Sequence, residues 1–275
     1  EKLLVRDYFF SDIPPDLIAG AGGVRLLGRS VELLVGPQNP GVVAQAAELS
    51  PVEPIGVVDS LSGEVTAARL DGSKVRLKLG DPVFQGDVLE TLGGAGVGVS
   101  FLDESTFSLG ENGRMILDEM IYDASAKTGQ MGLSVLTGAF AFVSGAIAKT
   151  GVDSMTLQTP SATIGIRGTA GGGNIEADGS TTAVLVAETG GFVGEMVFSN
   201  SFGTQTVNLP NQGVSVSPGQ APAAPVPLTA AQMAQTFGAA LRALPNARTS
   251  IDSGSLDAIE THIPAAGDQG GEQGQ

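Results

Sequence analysis

Cysteine is absent from the 275 residues, which excludes disulfides, thiolate metal sites and a Cys nucleophile. Tryptophan is absent too, and tyrosine occurs only at Tyr8 and Tyr122. Sugar-stacking platforms are therefore poorly served, which weighs against a polysaccharide-acting enzyme. The single histidine, His262, stands near the C-terminus. No His-based triad, paired-His metal site or imidazole base can be assembled in the body of the chain. Basic residues number 14 against 29 acidic, a formal net charge of −15. The densest basic stretch, Lys74, Arg76 and Lys78, is one strand face, whereas a nucleic-acid binder needs a basic stripe to displace counterions. Nucleic acid is excluded as a partner class on that ground. No apolar run reaches the roughly 18 to 20 residues that cross a bilayer, so no transmembrane segment is expected in this chain. The chain opens at Glu1 with neither Met nor a signal-peptide pattern, which reads as a lost leader or a piece of a longer protein.

What the chain has is glycine, 40 residues, about twice ordinary usage. Apolar residues make up 42%, mostly Val, Leu, Ile and Ala, enough for a sizeable core. Such a composition favours many short strands and turns over long helices. Residues 1–50 read as an extended N-terminal arm, with turns at Asp12–Asp16 and Gly36–Pro40 and short strands at Val24–Leu27 and Val31–Val35. Residues 51–217 read as the main β domain. Val65–Leu70 and Val75–Leu79 alternate around Asp71-Gly72-Ser73, a strong hairpin signal, and a second such turn is Asp178-Gly179-Ser180. Most strand spacings are around a dozen residues, which suits a sandwich, barrel or solenoid. Residues 218–227 are Pro/Ala-rich and read as a linker. Residues 228–245 read as a helix capped by Thr229, with Met233, Phe237, Leu241 and Leu244 on one face as a possible partner contact or a docking stripe. Residues 246–275 read as a flexible tail, most clearly from Gly267.

Three segments then carry a family pattern. They are Leu79-Gly-Asp-Pro-Val-Phe-Gln-Gly-Asp-Val-Leu-Glu-Thr91, Val99-Ser-Phe-Leu-Asp-Glu-Ser-Thr-Phe-Ser-Leu-Gly110 with Met115–Asp118, and Leu136–Gly145 with Thr159–Thr169. In order and spacing they closely resemble the FecR domain family over residues 55–170, extending by architecture to 217. The stretches Asp7–Phe10, Pro14–Leu17, Leu34–Pro37 and Gly41–Gln45 look like the lead-in to this domain in large bacterial envelope proteins. The resemblance implies an all-β fold, β-solenoid-like or a rolled β-sheet, to which the residues themselves add an extended N-terminal arm and one C-terminal helix. It implies no catalytic residues. Its motif residues are Gly80, Asp81, Gly86, Asp87, Gly138, Gly145, Pro160, Gly165, Arg167 and Gly168, all read as structural. Arg167, alone in an apolar motif, is read as an internal fork on a carboxylate or on carbonyls.

The remaining candidates are read as bland. Asp103-Glu104 and Asp118-Glu119 are adjacent pairs whose side chains should point to opposite faces as solvated edges. Asp103, Asp118 and Asp123 could hold Ca²⁺, but no EF-hand loop or GGxGxD repeat is present, so no cofactor is expected. Gly93-Gly94-Ala95-Gly96 lacks the Lys-Ser/Thr of a phosphate loop. The expectation is a non-catalytic, extracytoplasmic structural or interaction protein, at the cell surface, secreted or periplasmic. It would be an envelope assembly subunit or adhesin head whose partner is a protein, including further copies of itself in an oligomer or filament. The alternative is a periplasmic signalling regulator like the name-giving branch of the family, whose members are sensors that regulate a sigma factor.

Overall fold

The computed structural model describes residues 17–19, 24–26, 53–126 and 128–264. The chain divides into two units, Glu1–Val52 and Glu53–Gln275. In the first, β1 (Leu17–Ala19) pairs antiparallel with β2 (Val24–Leu26). The expected turns at 12–16 and 36–40, the expected strand at 31–35 and the lead-in motifs other than Leu17 lie outside the described residues.

The second unit runs through β3 (Gly56–Ser62), β4 (Val65–Ala68), β5 (Lys74–Arg76), β6 (Pro82–Val83), β7 (Val88–Thr91), β8 (Gly96–Phe101) and β9 (Thr106–Leu109). It continues with β10 (Arg114–Asp123), β11 (Thr128–Val143), β12 (Met155–Gln158), β13 (Thr163–Arg167), β14 (Ala170–Ile175) and β15 (Thr181–Val186). Last come β16 (Glu195–Asn200), β17 (Gly203–Val207), β18 (Gln212–Val216), β19 (Val226–Pro227), α1 (Ala230–Ala243), α2 (Ala247–Ser250) and α3 (Ser253–Glu260).

These strands make two layers that share β11. The first layer runs β6-β3-β8-β9-β11-β14-β15-β18-β19. The second runs β5-β4-β7-β10-β11-β12-β13-β16-β17. Every ladder in this unit is antiparallel except β11–β12. A solenoid stacks its coils through parallel ladders, so solenoid coiling is not what holds these residues together. Instead hairpins pass back and forth between two open sheets.

Local chemistry explains the passages. β11 pairs with β10 up to Thr137 and with β14 from Gly138. At the switch Gly138 takes φ +95°, and a Cβ there would lie 2.6 Å from the Gly113 Cα. Only glycine satisfies both demands. The two Asp-Gly-Ser turns are built alike: the Asp71 and Asp178 carboxylates each accept from the amide two residues on, at 2.8 Å, and the glycines between take positive φ.

The core lies between the layers. Phe107, Phe140 and Phe142 stack, with ring centroids 5.9 and 6.2 Å apart, among buried Leu89, Met115, Leu133, Leu157, Ile164 and Phe198. A second cluster lies on the outer face of the first layer, under α1 and α3.

Two expectations change at the C-terminal end. The 218–227 stretch is pinned rather than free: Ala223 N–H donates to Ser215 O at 3.0 Å, and β19 pairs with β18. Part of the expected tail, 246–264, forms α2 and α3 instead of remaining flexible. Asp252 caps α3, and its Leu256 and Ile259 are buried in the second cluster, so apolar burial outweighs the polar composition. Among the described residues there are therefore three C-terminal helices, not one. The stretch 267–275 lies outside the described residues.

Candidate functional site

The later family motifs meet at one corner of the second unit. Its centre is the β8–β9 turn, where Asp103 is fully buried. The Asp103 carboxylate accepts from Ser105 N–H at 3.1 Å, Ser105 Oγ–H at 2.8 Å and Ile147 N–H at 3.1 Å. Ser105 Oγ accepts from Gly145 N–H at 2.8 Å, and Ala146 N–H donates to Asp103 O at 2.8 Å. A Cβ on Gly145 would collide with the backbone of this turn, which accounts for glycine there. The expectation of a solvated Asp103 is corrected: three donors compensate its burial, and the turn wraps it against the start of the short 3-10 segment Ile147–Lys149. Its neighbour Glu104 remains exposed, with φ +68°. For the pair Asp118-Glu119 only the expected opposition of faces is corrected. Both side chains are exposed, because a β-bulge between Ile116 and Glu119 breaks the alternation.

One residue layer away, Ser144 Oγ accepts from Thr169 N–H at 2.8 Å, and Ser144 N–H donates to Thr169 O at 3.1 Å. Just before Thr169, Arg167 reaches out from β13 to Asp153, at 3.1 Å, and to Glu195. These two acceptors raise the Arg167 pKa, the Asp153 hydrogen bond most of all. Gly165 leaves room for Asp153: a Cβ would sit 2.5 Å from its Oδ1. Gly168 follows in the left-handed region, φ +62°. Pro160 sits in the turn between β12 and β13, where a Cβ on Gly179 would lie 3.2 Å from its Cβ.

The earlier motifs form a separate lock. Gly80 takes φ +84° and Asp81 accepts from Lys78 N–H at 2.8 Å. Gly86 takes φ +84°, and its missing side chain leaves space filled by Leu70. Asp87 is buried and accepts from Phe84 N–H at 2.8 Å and from Arg69. Arg69 also donates to Pro82 O at 3.1 Å and lies 4.6 Å from the Phe84 ring centroid. Burial pushes the Asp87 carboxyl up, and the Phe84 amide and Arg69 pull it partly back.

Met233, Phe237, Leu241 and Leu244 are all buried on the first layer of their own chain, so of the two readings the stripe follows docking and not partner contact. Helix α1 seats there because the layer offers small residues. A Cβ on Gly172 would lie 2.6 Å from the Phe237 Cγ, and one on Gly98 would strike Ala243 and Pro245. Ser108 Oγ–H donates to Ala240 O at 2.8 Å, and Ser60 Oγ–H to Ala243 O, satisfying carbonyls at the helix end. The sequence signal for this seat is present in hindsight. Gly171, Gly172 and Gly173 alternate across β14: the outer two make room for Phe142 and Phe140 inside, the middle one for Phe237 outside.

Chemically, the corner is a fastening. Ser105 and Ser144 hydroxyls hold backbone amides, and His262 is exposed beyond the end of α3. Asp103, Asp118 and Asp123 are not brought together, and among the described residues no three His, Cys, Asp or Glu side chains are grouped to hold a metal. No described helix is long and apolar enough to cross a membrane.

Among solved structures, the chain is similar to a cell surface anchoring domain, 34% identical over 22% of this chain and 82% of that one, with a TM-score of 0.22. It is also similar to a candidate anti-sigma factor from Parabacteroides distasonis, represented by two crystal structures. Each is 13% identical over 47% of this chain, with a TM-score of 0.36, and the chain spans about half, 54%, of that protein's length. No curated protein matches. The family described as FecR protein matches residues 87–190, a stretch that begins at the buried Asp87 and takes in Asp103, Gly145 and Arg167. The expectation of an adhesin head or structural assembly subunit is corrected on this match, which supports the alternative, regulator-type reading better. Residues 87–190 of this chain match the FecR family.

Proposed function

We propose that this chain is an extracytoplasmic signalling regulator of the FecR type, acting by contact with another protein and not by catalysis. The observation that carries the reading is the FecR match over residues 87–190. The corner fits such a role. Its buried fastenings hold three exposed apolar side chains on separate turns, Leu102, Val152 and Phe192, and exposed apolar groups on a rigid frame suit protein contact. The net charge of −15 favours a protein partner over nucleic acid. A periplasmic or envelope location, a rolled sheet built from shuttling hairpins, and activity without a cofactor or Ca²⁺ belong to the same proposal.

The test is transcriptional. The coding segment for residues 53–264 is deleted in the native gene, and transcript levels are compared with the parent strain. A coherent shift in one promoter class is the expected result. An unchanged transcript profile would overturn the reading.

A further inference from the structure

Beside the corner lies an open pocket of about 410 Å³, walled by Val143, Ser144, Gly145 and Ala146 from the end of β11 and by Thr249 and Ser250 from α2. Three ionisable side chains line it: Glu104, Lys149 and Glu188. None of the three forms an ion pair with a described residue, whereas Arg69, Lys74, Arg167 and Arg248 elsewhere all do. Glu188 Oε1 is buried without a hydrogen-bond partner among the described residues. Buried polar atoms nearly always have one, so this oxygen points to a missing donor. Lys149 does not close on Glu188; a Cβ on Gly168 would lie 3.5 Å from the Lys149 Cγ, so its stem runs over that glycine. Burial pushes the Glu188 carboxyl up, offset in part by Lys149. The frame around the three groups is rigid. Glu104 is carried by the turn that Asp103 fastens, and Glu188 is tied to Ile251 by a β-bridge.

Two carboxylates and one ammonium around a single small pocket do not suit a simple ion. A bare cation would face Lys149, and a bare anion would face both glutamates. A molecule carrying both charges satisfies all three. We propose that this pocket binds a small zwitterion of α-amino-acid size, its ammonium taken by Glu188 and Glu104 and its carboxylate by Lys149, with Val143 and Ala146 receiving a short side chain. The volume falls in the lower range of ligand pockets. The site goes beyond the regulator reading and does not depend on it.

Calorimetric titration of the full chain tests it, with alanine as the zwitterion, methylammonium as the cation alone and acetate as the anion alone. Saturable alanine binding at millimolar concentration or below is expected, with neither half-ligand matching it. Lys149→Met and Glu188→Gln should each weaken alanine by at least about tenfold, the scale of a charged hydrogen bond. Lys149 and Glu104 are exposed, so Lys149→Met and Glu104→Gln preserve the fold and carry the test even if Glu188→Gln does not. Absence of binding by any of the common amino acids, methylammonium binding as tightly as alanine, or both exposed variants binding alanine unchanged would each overturn the proposal. None of these outcomes bears on the transcriptional test.

Discussion

The two layers of the domain share a core, yet their outer faces are opposites. In the first, β9 is buried at all four positions and β14 at five of six, because α1 and α3 cover it. That face is paved with Gly98, Ser108, Ala141, Gly172 and Val184, residues small enough for a helix to approach. The second layer keeps the alternation of a half-solvated sheet, as in β4 and β12, and its outer face carries Lys74, Glu90, Arg114, Arg167 and Glu195 in ion pairs. The difference shows two ways of finishing a sheet. One face is sealed by shape, where van der Waals fit and apolar burial dominate. The other is finished by charge, where water screens each pair and little stability is at stake.

The contrast can be broken most strongly at its central contact. Phe237→Ala should cost about 3–5 kcal/mol in denaturant unfolding, the usual loss for a buried aromatic. Thr156→Ala on the open layer should stay within about 0.5 kcal/mol. Next in size is Gly172→Ala, which drives a methyl into the Phe237 ring and should cost about 1–3 kcal/mol. Combining it with Phe237→Leu should recover part of that loss in a double-mutant cycle, and strict additivity would show that the two residues do not share the space. Smaller still is Arg167→Met on the open layer. About 1 kcal/mol or less is expected, shrinking as salt is added to the melt. A loss that ignores salt would mean the fork acts by packing.

The smallest effects separate by sign along pH. Asp87 has a raised folded pKa, so its protonated form is favoured on folding. Wild type should gain on Asp87→Asn as pH falls through that raised value toward the ordinary Asp value. Glu90 behaves in reverse, since its hydrogen bond from Lys74 lowers its pKa. Its contribution is present above the ordinary Glu value and is lost as pH falls through the folded one, so wild type should lose ground to Glu90→Gln. Paired urea titrations across the acid range check both slopes, and parallel slopes would remove the distinction.

Much of the second layer was legible because its rules are local. The alternation of β4 and the hairpin at Asp71-Gly72-Ser73 need only neighbouring residues to be recognised, and the Thr229 capping box likewise starts α1 where its side chain predicts. The first layer was less legible. Its strands lack alternation because a distant segment covers them, and the stripe Met233, Phe237, Leu241 and Leu244 looks the same whether it docks at home or on a partner. Asp103 was misread for a related reason: a polar turn residue is ordinarily solvated, and the donors that bury it come partly from Ile147, far along the chain.

By itself the sequence determined the β character, the turn chemistry and the family pattern, since each is carried by composition, spacing and backbone preferences within a few residues. Tertiary structure alone decided which glycines hold a turn and which receive a ring, whether the helix stripe was spoken for, and which charges gather unpaired around one pocket. Those outcomes depend on surfaces meeting across the chain, and no local preference encodes where they meet.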